Sequence, residues 1–233
     1  MGEHTVSSFD QELNEIDRLI RAMGDTAGTM VASSIQALLK GNVAQGQRVI
    51  SEDAIMDDHQ RELDDRAISI IARRQPMAQD LREVVAAIKI ASDIERIGDY
   101  AKNIAKRAIV LSSVAPMKPV ASIPRMSRLA LSIIKDVLDA YIAKDAEAAR
   151  AAWRRDEEVD EMYNSVFREM LTYMMEDPRN IGPCTHLLFI AKNIERIGDH
   201  ATNVAEIVYY LVHGRDLTEE RPKGDTTNVS ING

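Results

Sequence analysis

Ile90-Ala91-Ser92-Asp93-Ile94-Glu95-Arg96-Ile97-Gly98-Asp99-Tyr100-Ala101-Lys102-Asn103-Ile104-Ala105 returns one hundred positions later as Ile190-Ala191-Lys192-Asn193-Ile194-Glu195-Arg196-Ile197-Gly198-Asp199-His200-Ala201-Thr202-Asn203-Val204-Ala205. Ile90, Ile94, Ile97, Ala101, Ile104, Ala108 and Leu111 form one helical seam, and Ile190, Ile194, Ile197, Ala201, Val204, Val208 and Leu211 form it again. Packing tolerates many apolar exchanges, so a shared apolar period alone says little. The shared charged core Glu-Arg-Ile-Gly-Asp says more, because surface charges drift unless something uses them. The chain therefore reads as one unit built twice. Coiled-coil packing between the two seams is the simplest way to bury both.

Composition agrees with an all-α fold. Aromatic residues make up only 4% of the 233 residues, while hydrophobic residues reach 45% with 11 Met, which favours helices over sheets. The net charge of −8 argues against nucleic acid as a partner, since broad contact with phosphate backbones needs a basic surface. Cys184 is the single cysteine, so no intrachain disulfide is possible, and it reads as a small buried hydrophobe. Residues 1–9 carry no signal-peptide pattern and no window reaches the ~18 apolar residues of a membrane span. A cytoplasmic protein is expected, meeting membranes only through partners.

Six helices follow from the periodicity. Phe9, Leu13, Ile16, Ile20, Met23, Ala27 and Met30 make a helical stripe, with Ser8 and Gln11 as a capping box, so the first helix is expected over about 9–39. Gly41-Asn42 ends it, Asn42 with Gln45 caps the second helix to about Arg74, and Pro76 suits the first turn of a third over about 77–111. Pro116, Pro119 and Pro124 mark a linker. The fourth helix is expected over about 124–143, with Asp145 in the capping place of Asn42. The fifth runs to about Met175, where Asp177-Pro178 breaks it, and the sixth spans about 181–212. The resulting division is a three-helix antiparallel bundle over 1–112, a linker over 113–123, a second bundle over 124–213 and a disordered tail over 214–233.

Residues four apart share a helical face, so Glu95 and Asp99 present two carboxylates side by side, with Asn103 next in the row. Glu195, Asp199 and Asn203 repeat the row. Asp53 and Asp57 form a matching pair on the second helix, and Asp156 and Asp160 form one on the fifth. Facing pairs on helices about 8–10 Å apart can surround a cation with four carboxylates. Gly98 and Gly198 each cost a helix interior about 1 kcal/mol against Ala, which makes sense where a backbone or ligand must come close. The candidate ions are divalent or trivalent: Mg, Mn, Ca, Zn or Fe clusters, the all-oxygen set favouring the harder ones. A solvated face, or ion pairs to Arg96 or Arg61, stays open as the other reading of any single acidic pair. Arg96 and Arg196 read as ion-pair partners of the adjacent carboxylates, and Asn103 and Asn203 as helix-to-helix hydrogen-bond partners.

None of His4, His59, His186, His200 or His213 follows a glutamate by three, so the Glu-x-x-His element of di-iron enzymes is missing. There is no P-loop, Rossmann fingerprint, serine elbow or Cys/His metal set. A non-enzyme is the leading expectation. A carboxylate-bound metal hydrolase or oxidase is the alternative.

Arg74-Gln75-Pro76-Met77-Ala78-Gln79-Asp80-Leu81-Arg82 and the two Glu-Arg-Ile-Gly-Asp blocks resemble the PhoU family of phosphate-uptake regulators, and the likeness covers nearly the whole chain. The resemblance implies a six-helix fold of two three-helix bundles that binds metal at paired acidic motifs. It places Asp53, Asp57, Glu95 and Asp99 in one metal site and Asp156, Asp160, Glu195 and Asp199 in the other. It also implies a negative regulator of phosphate uptake and of the phosphate-starvation response, linking a phosphate ABC transporter and its ATPase subunit to a sensor histidine kinase, and acting as a homodimer. One departure stands out: Asp93 becomes Asn193 in the second half, so the two sites are expected to differ if that position adds charge to the cluster.

Overall fold

The computed structural model describes residues 2–114 and 121–219. Its helices are α1 (Gly2–Lys40), α2 (Val43–Arg74), α3 (Gln79–Leu111), α4 (Ser122–Ala143), α5 (Ala146–Arg154), α6 (Asp156–Glu176) and α7 (Ile181–His213), with a 3-10 turn at Pro178–Asn180. Among the described residues there is no strand. The fold is all-α, six rods in two sets of three, the fifth rod being α5 and α6 joined at Arg155.

The turns obey their local chemistry. Asn42 Oδ1 accepts from the Gln45 N–H at 3.1 Å, and its repeat counterpart Asp145 Oδ1 accepts from Glu147 and Ala148 N–H at 3.0 Å each. Each turn is left-handed just before the cap, at Gly41 (φ 59°) and Lys144 (φ 50°).

Within the first repeat α1, α2 and α3 pack on one another; within the second, α4, α5 and α6 pack on α7. The repeats join through α3 against α7 and through α1 against α4. These four helices surround the common core, and α2 on one side and α5–α6 on the other complete it. Both seams are buried, with only Leu111 partly covered. Between α1 and α4 the Tyr141 hydroxyl donates to Asp17 Oδ1 at 2.7 Å, and Gly24 lets the helices approach, since a Cβ there would overlap Leu138 Cδ1.

Several expectations need correction. The first helix reaches back to Gly2, so Ser8 lies inside it rather than at a cap. The third helix starts at Gln79, because Gln75 (φ 48°) and Ala78 (φ 51°) take left-handed backbone around Pro76 and turn the chain first. The fourth starts at Ser122, with Ile123 already buried. Pro116 and Pro119 of the expected linker lie outside the described residues. Of the expected disordered tail over 214–233, the part up to 219 is held in place: Leu217 packs on the core, and Glu219 ion-pairs with Arg150 and Arg154. The rest of that tail, 220–233, lies outside the described residues.

Candidate metal centre

Each acidic pair from an outer rod faces the pair from the inner helix of its own repeat. In the first repeat Asp53 and Asp57 of α2 face Glu95 and Asp99 of α3, and Lys102 enters between them. Its ammonium donates to Asp53 Oδ2 and to Asp99 Oδ1, at 2.7 Å each. Burial works against that ammonium, but the two hydrogen bonds outweigh it and hold its pKa above the ordinary lysine value. Arg96 adds a second cation, 3.4 Å from Asp99 and 3.9 Å from Glu95. Burial and the charge of Asp99 raise the Glu95 pKa, Arg96 opposes the rise, and Asp57 and Asp53 add to it. Asp57 itself is exposed.

The second repeat places the same four positions deeper. Asp156, Asp160 and Glu195 are 2%, 4% and 5% exposed, and Asp199 is partly exposed. The kink at Arg155 (φ −79°, ψ −4°) starts α6 at Asp156 and turns this carboxylate inward. Arg155 is tied to α4 by an ion pair with Asp136 and a 3.2 Å hydrogen bond to Ser132 Oγ. Lys192 donates to Glu195 Oε1 at 2.8 Å and lies 4.9 Å from the Tyr163 ring centre. Burial pushes the Glu195 carboxyl up to about 7; the Lys192 hydrogen bond opposes the rise, and the charges of Asp199 and Asp160 reinforce it.

Glycine at 198 also gains a reason. A Cβ there would stand 3.1 Å from Asp156 Oδ1 and 3.4 Å from Val159 Cγ1, so the missing side chain admits the carboxylate. At Gly98 the neighbours are Met56 and Met30 at ordinary contact distance.

Among the described residues no three His, Cys, Asp or Glu side chains already stand in an arrangement that could hold a metal ion. The two sets differ in how well they fit one. Glu195 Oε2 is buried with no hydrogen-bond partner, on a side chain 7% exposed, and an orphaned acceptor of this kind suits a cation. In the first set Lys102 already bridges Asp53 and Asp99, and Arg96 stands beside Asp99, so the fit is poorer.

Sequence reasoning missed both lysines, although their spacing offered the signal: Lys102 is three residues after Asp99, and Lys192 three before Glu195. Arg96 is an ion-pair partner as expected, and Asn203 is a helix-to-helix partner, donating to Asp93 Oδ1 at 3.1 Å. Arg196 departs from expectation. It has no carboxylate at ion-pair distance among the described residues, and its guanidinium stands 5.8 Å from the Tyr100 ring centre across the α3–α7 interface. Asp93 also departs, since it pairs with α7 rather than joining the acidic cluster.

Six rods in two repeats, each carrying facing carboxylate ladders between an inner and an outer helix, define a class: a tandem three-helix-bundle protein with an acidic centre in each bundle. The PhoU domain is matched twice, over residues 20–108 and 123–208, and the chain belongs to the PhoU family. It is 53% identical over 227 residues to the phosphate-specific transport system accessory protein PhoU homolog of Rhizobium meliloti, covering 97% of this chain and 96% of that one. The homolog of the same name in Caulobacter vibrioides (strain NA1000 / CB15N) is 51% identical over 226 residues, covering 97% and 98%. The crystal structure of PhoU from Pseudomonas aeruginosa superposes with a TM-score of 0.86 at 35% identity, covering 89% of this chain and 100% of that one. The phosphate transport system regulatory protein PhoU from Streptococcus pneumoniae gives 0.83 at 26% identity, covering 90% and 99%. Among the described residues no helix is long and apolar enough to cross a membrane.

Proposed function

We propose that this chain is a negative regulator of phosphate uptake and of the phosphate-starvation response, coupling a phosphate ABC transporter to its sensor histidine kinase. The observation that carries the reading is family membership over both repeats, with relatives of 53% and 51% identity named as accessory proteins of phosphate-specific transport. On this reading it works in the cytoplasm as a homodimer, docks on the transporter ATPase subunit and on the kinase, and catalyses no reaction itself.

Asp156, Asp160, Glu195 and Asp199 are the residues that would hold a divalent or trivalent ion, and the orphaned Glu195 Oε2 supports that choice. A bound ion would meet the orphaned Glu195 Oε2 and tie α6 to α7. In the set of Asp53, Asp57, Glu95 and Asp99, Lys102 bridges Asp53 of α2 and Asp99 of α3 instead. Deleting the gene tests the regulatory reading: phosphate-responsive genes are expected to stay on in high phosphate. Unchanged repression in the deletion strain would overturn it.

A further inference from the structure

The twofold relation between the repeats makes two cavities, one on each side of the α3–α7 crossing. One, of about 450 Å³, is walled by Ala86 and Lys89 of α3 and by Asn203, Glu206, Ile207 and Tyr210 of α7. The other, of about 510 Å³, is walled by the counterparts one hundred positions away: Asn103, Lys106, Arg107 and Val110 of α3, with His186 and Phe189 of α7. The backbone makes the same hollow twice, and the side chains have diverged in charge. Glu206 faces the first cavity where Lys106 faces the second, and Ile207 stands where the second has Arg107. Lys192 and Arg196 complete the second wall, and no carboxylate lines it.

We infer that this second cavity binds a small anion carrying more than one phosphate group. Lys106, Arg107 and Arg196 have no carboxylate at ion-pair distance among the described residues, in a chain whose net charge is −8. Clustered like charges repel one another, so a fold that gathers them without counter-charge is arranged for an anion from outside. The guanidinium of Arg107 is held in place: it lies 4.1 Å from the Phe189 ring centre, and Nη1 is 3.4 Å from His186 Nδ1. Guanidinium groups match phosphate oxygens in pairs, and Lys106 adds a point charge. The amides of Asn103 and Asn193 also line the wall. The volume lies within the range of small-molecule sites and exceeds what one tetrahedral oxyanion fills. This inference rests on neither the metal centre nor the transporter reading.

Calorimetric titration of the full chain with inorganic phosphate, tripolyphosphate and ATP, in the presence of a chelator, tests it. Tripolyphosphate is expected to bind saturably and more tightly than inorganic phosphate. The double variant Lys106→Glu, Arg196→Gln is expected to lose about tenfold or more in affinity while keeping its circular dichroism spectrum. Lys89→Glu in the opposite cavity is expected to change nothing. ATP binding more tightly than tripolyphosphate assigns a nucleotide, and equal affinity assigns the phosphate chain alone; both support the inference. Absence of saturable binding, equal affinity in the double variant, or binding of poly-glutamate but none of the phosphates overturns it.

Discussion

Asp93 Oδ1 of the first repeat lies 2.7 Å from His200 Nδ1 of the second, while at the repeat-related positions Tyr100 replaces the histidine and Asn193 donates to its own helix at Phe189 O, 2.7 Å away. The substitution at 93/193 therefore acts at the junction between the repeats. Asp93→Asn removes a charge-assisted contact and is expected to lower stability by about 1–3 kcal/mol, measured by urea unfolding. An unchanged unfolding midpoint would count against this role.

Glu195 sets a pH dependence. A carboxyl whose pKa rises on folding, here from 4.5 to about 7, holds its proton better folded than unfolded. Its stabilising contribution is complete below the unfolded value and is lost as pH climbs through about 7. The metal-free chain is therefore expected to lose up to about 3 kcal/mol between pH 4.5 and 8 from this group. Glu195→Gln is expected to flatten that slope and to be the more stable form at pH 8. Chemical denaturation across the pH range reads both effects.

Lys102 occupies the gap between Asp53 and Asp99, and its repeat counterpart is Thr202. Lys102→Thr is expected to weaken the α2–α3 contact and to raise Mn²⁺ affinity at the first set, seen as additional bound metal in equilibrium dialysis. Unchanged metal binding would show that the ammonium does not keep an ion out.

Ala78, at φ 51° and ψ −109°, holds a backbone conformation that suits glycine. Ala78→Gly is expected to stabilise the fold by roughly 0.5–1 kcal/mol despite the added freedom of the unfolded chain. A thermal melt checks the sign.

Much of this molecule was legible beforehand because its signals are local or repeated. Asn42 and Asp145 cap their helices through their own side chains, and the two Glu-Arg-Ile-Gly-Asp blocks locate the inner helices whatever surrounds them. What escaped depends on contacts between distant segments. The kink at Arg155 is accompanied by ties to Asp136 and Ser132 on another helix, and residues 217–219 are held by the core and by Arg150 and Arg154. The start of α3 fell two residues late because Gln75 and Ala78 adopt left-handed backbone that no preference of theirs announces. The acidic ladders were readable from i,i+4 spacing. Their unequal burial was not, since it depends on how closely each outer rod packs.

The second carboxylate set is expected to be the one that takes up a cation. Elemental analysis of the full chain after Mn²⁺ loading and desalting tests this directly, using wild type, Asp53→Asn/Asp99→Asn and Asp156→Asn/Glu195→Gln. Metal is expected to stay with the first two proteins and to leave the third. Metal lost only from the first-set variant, or retained by none of the three, would contradict it.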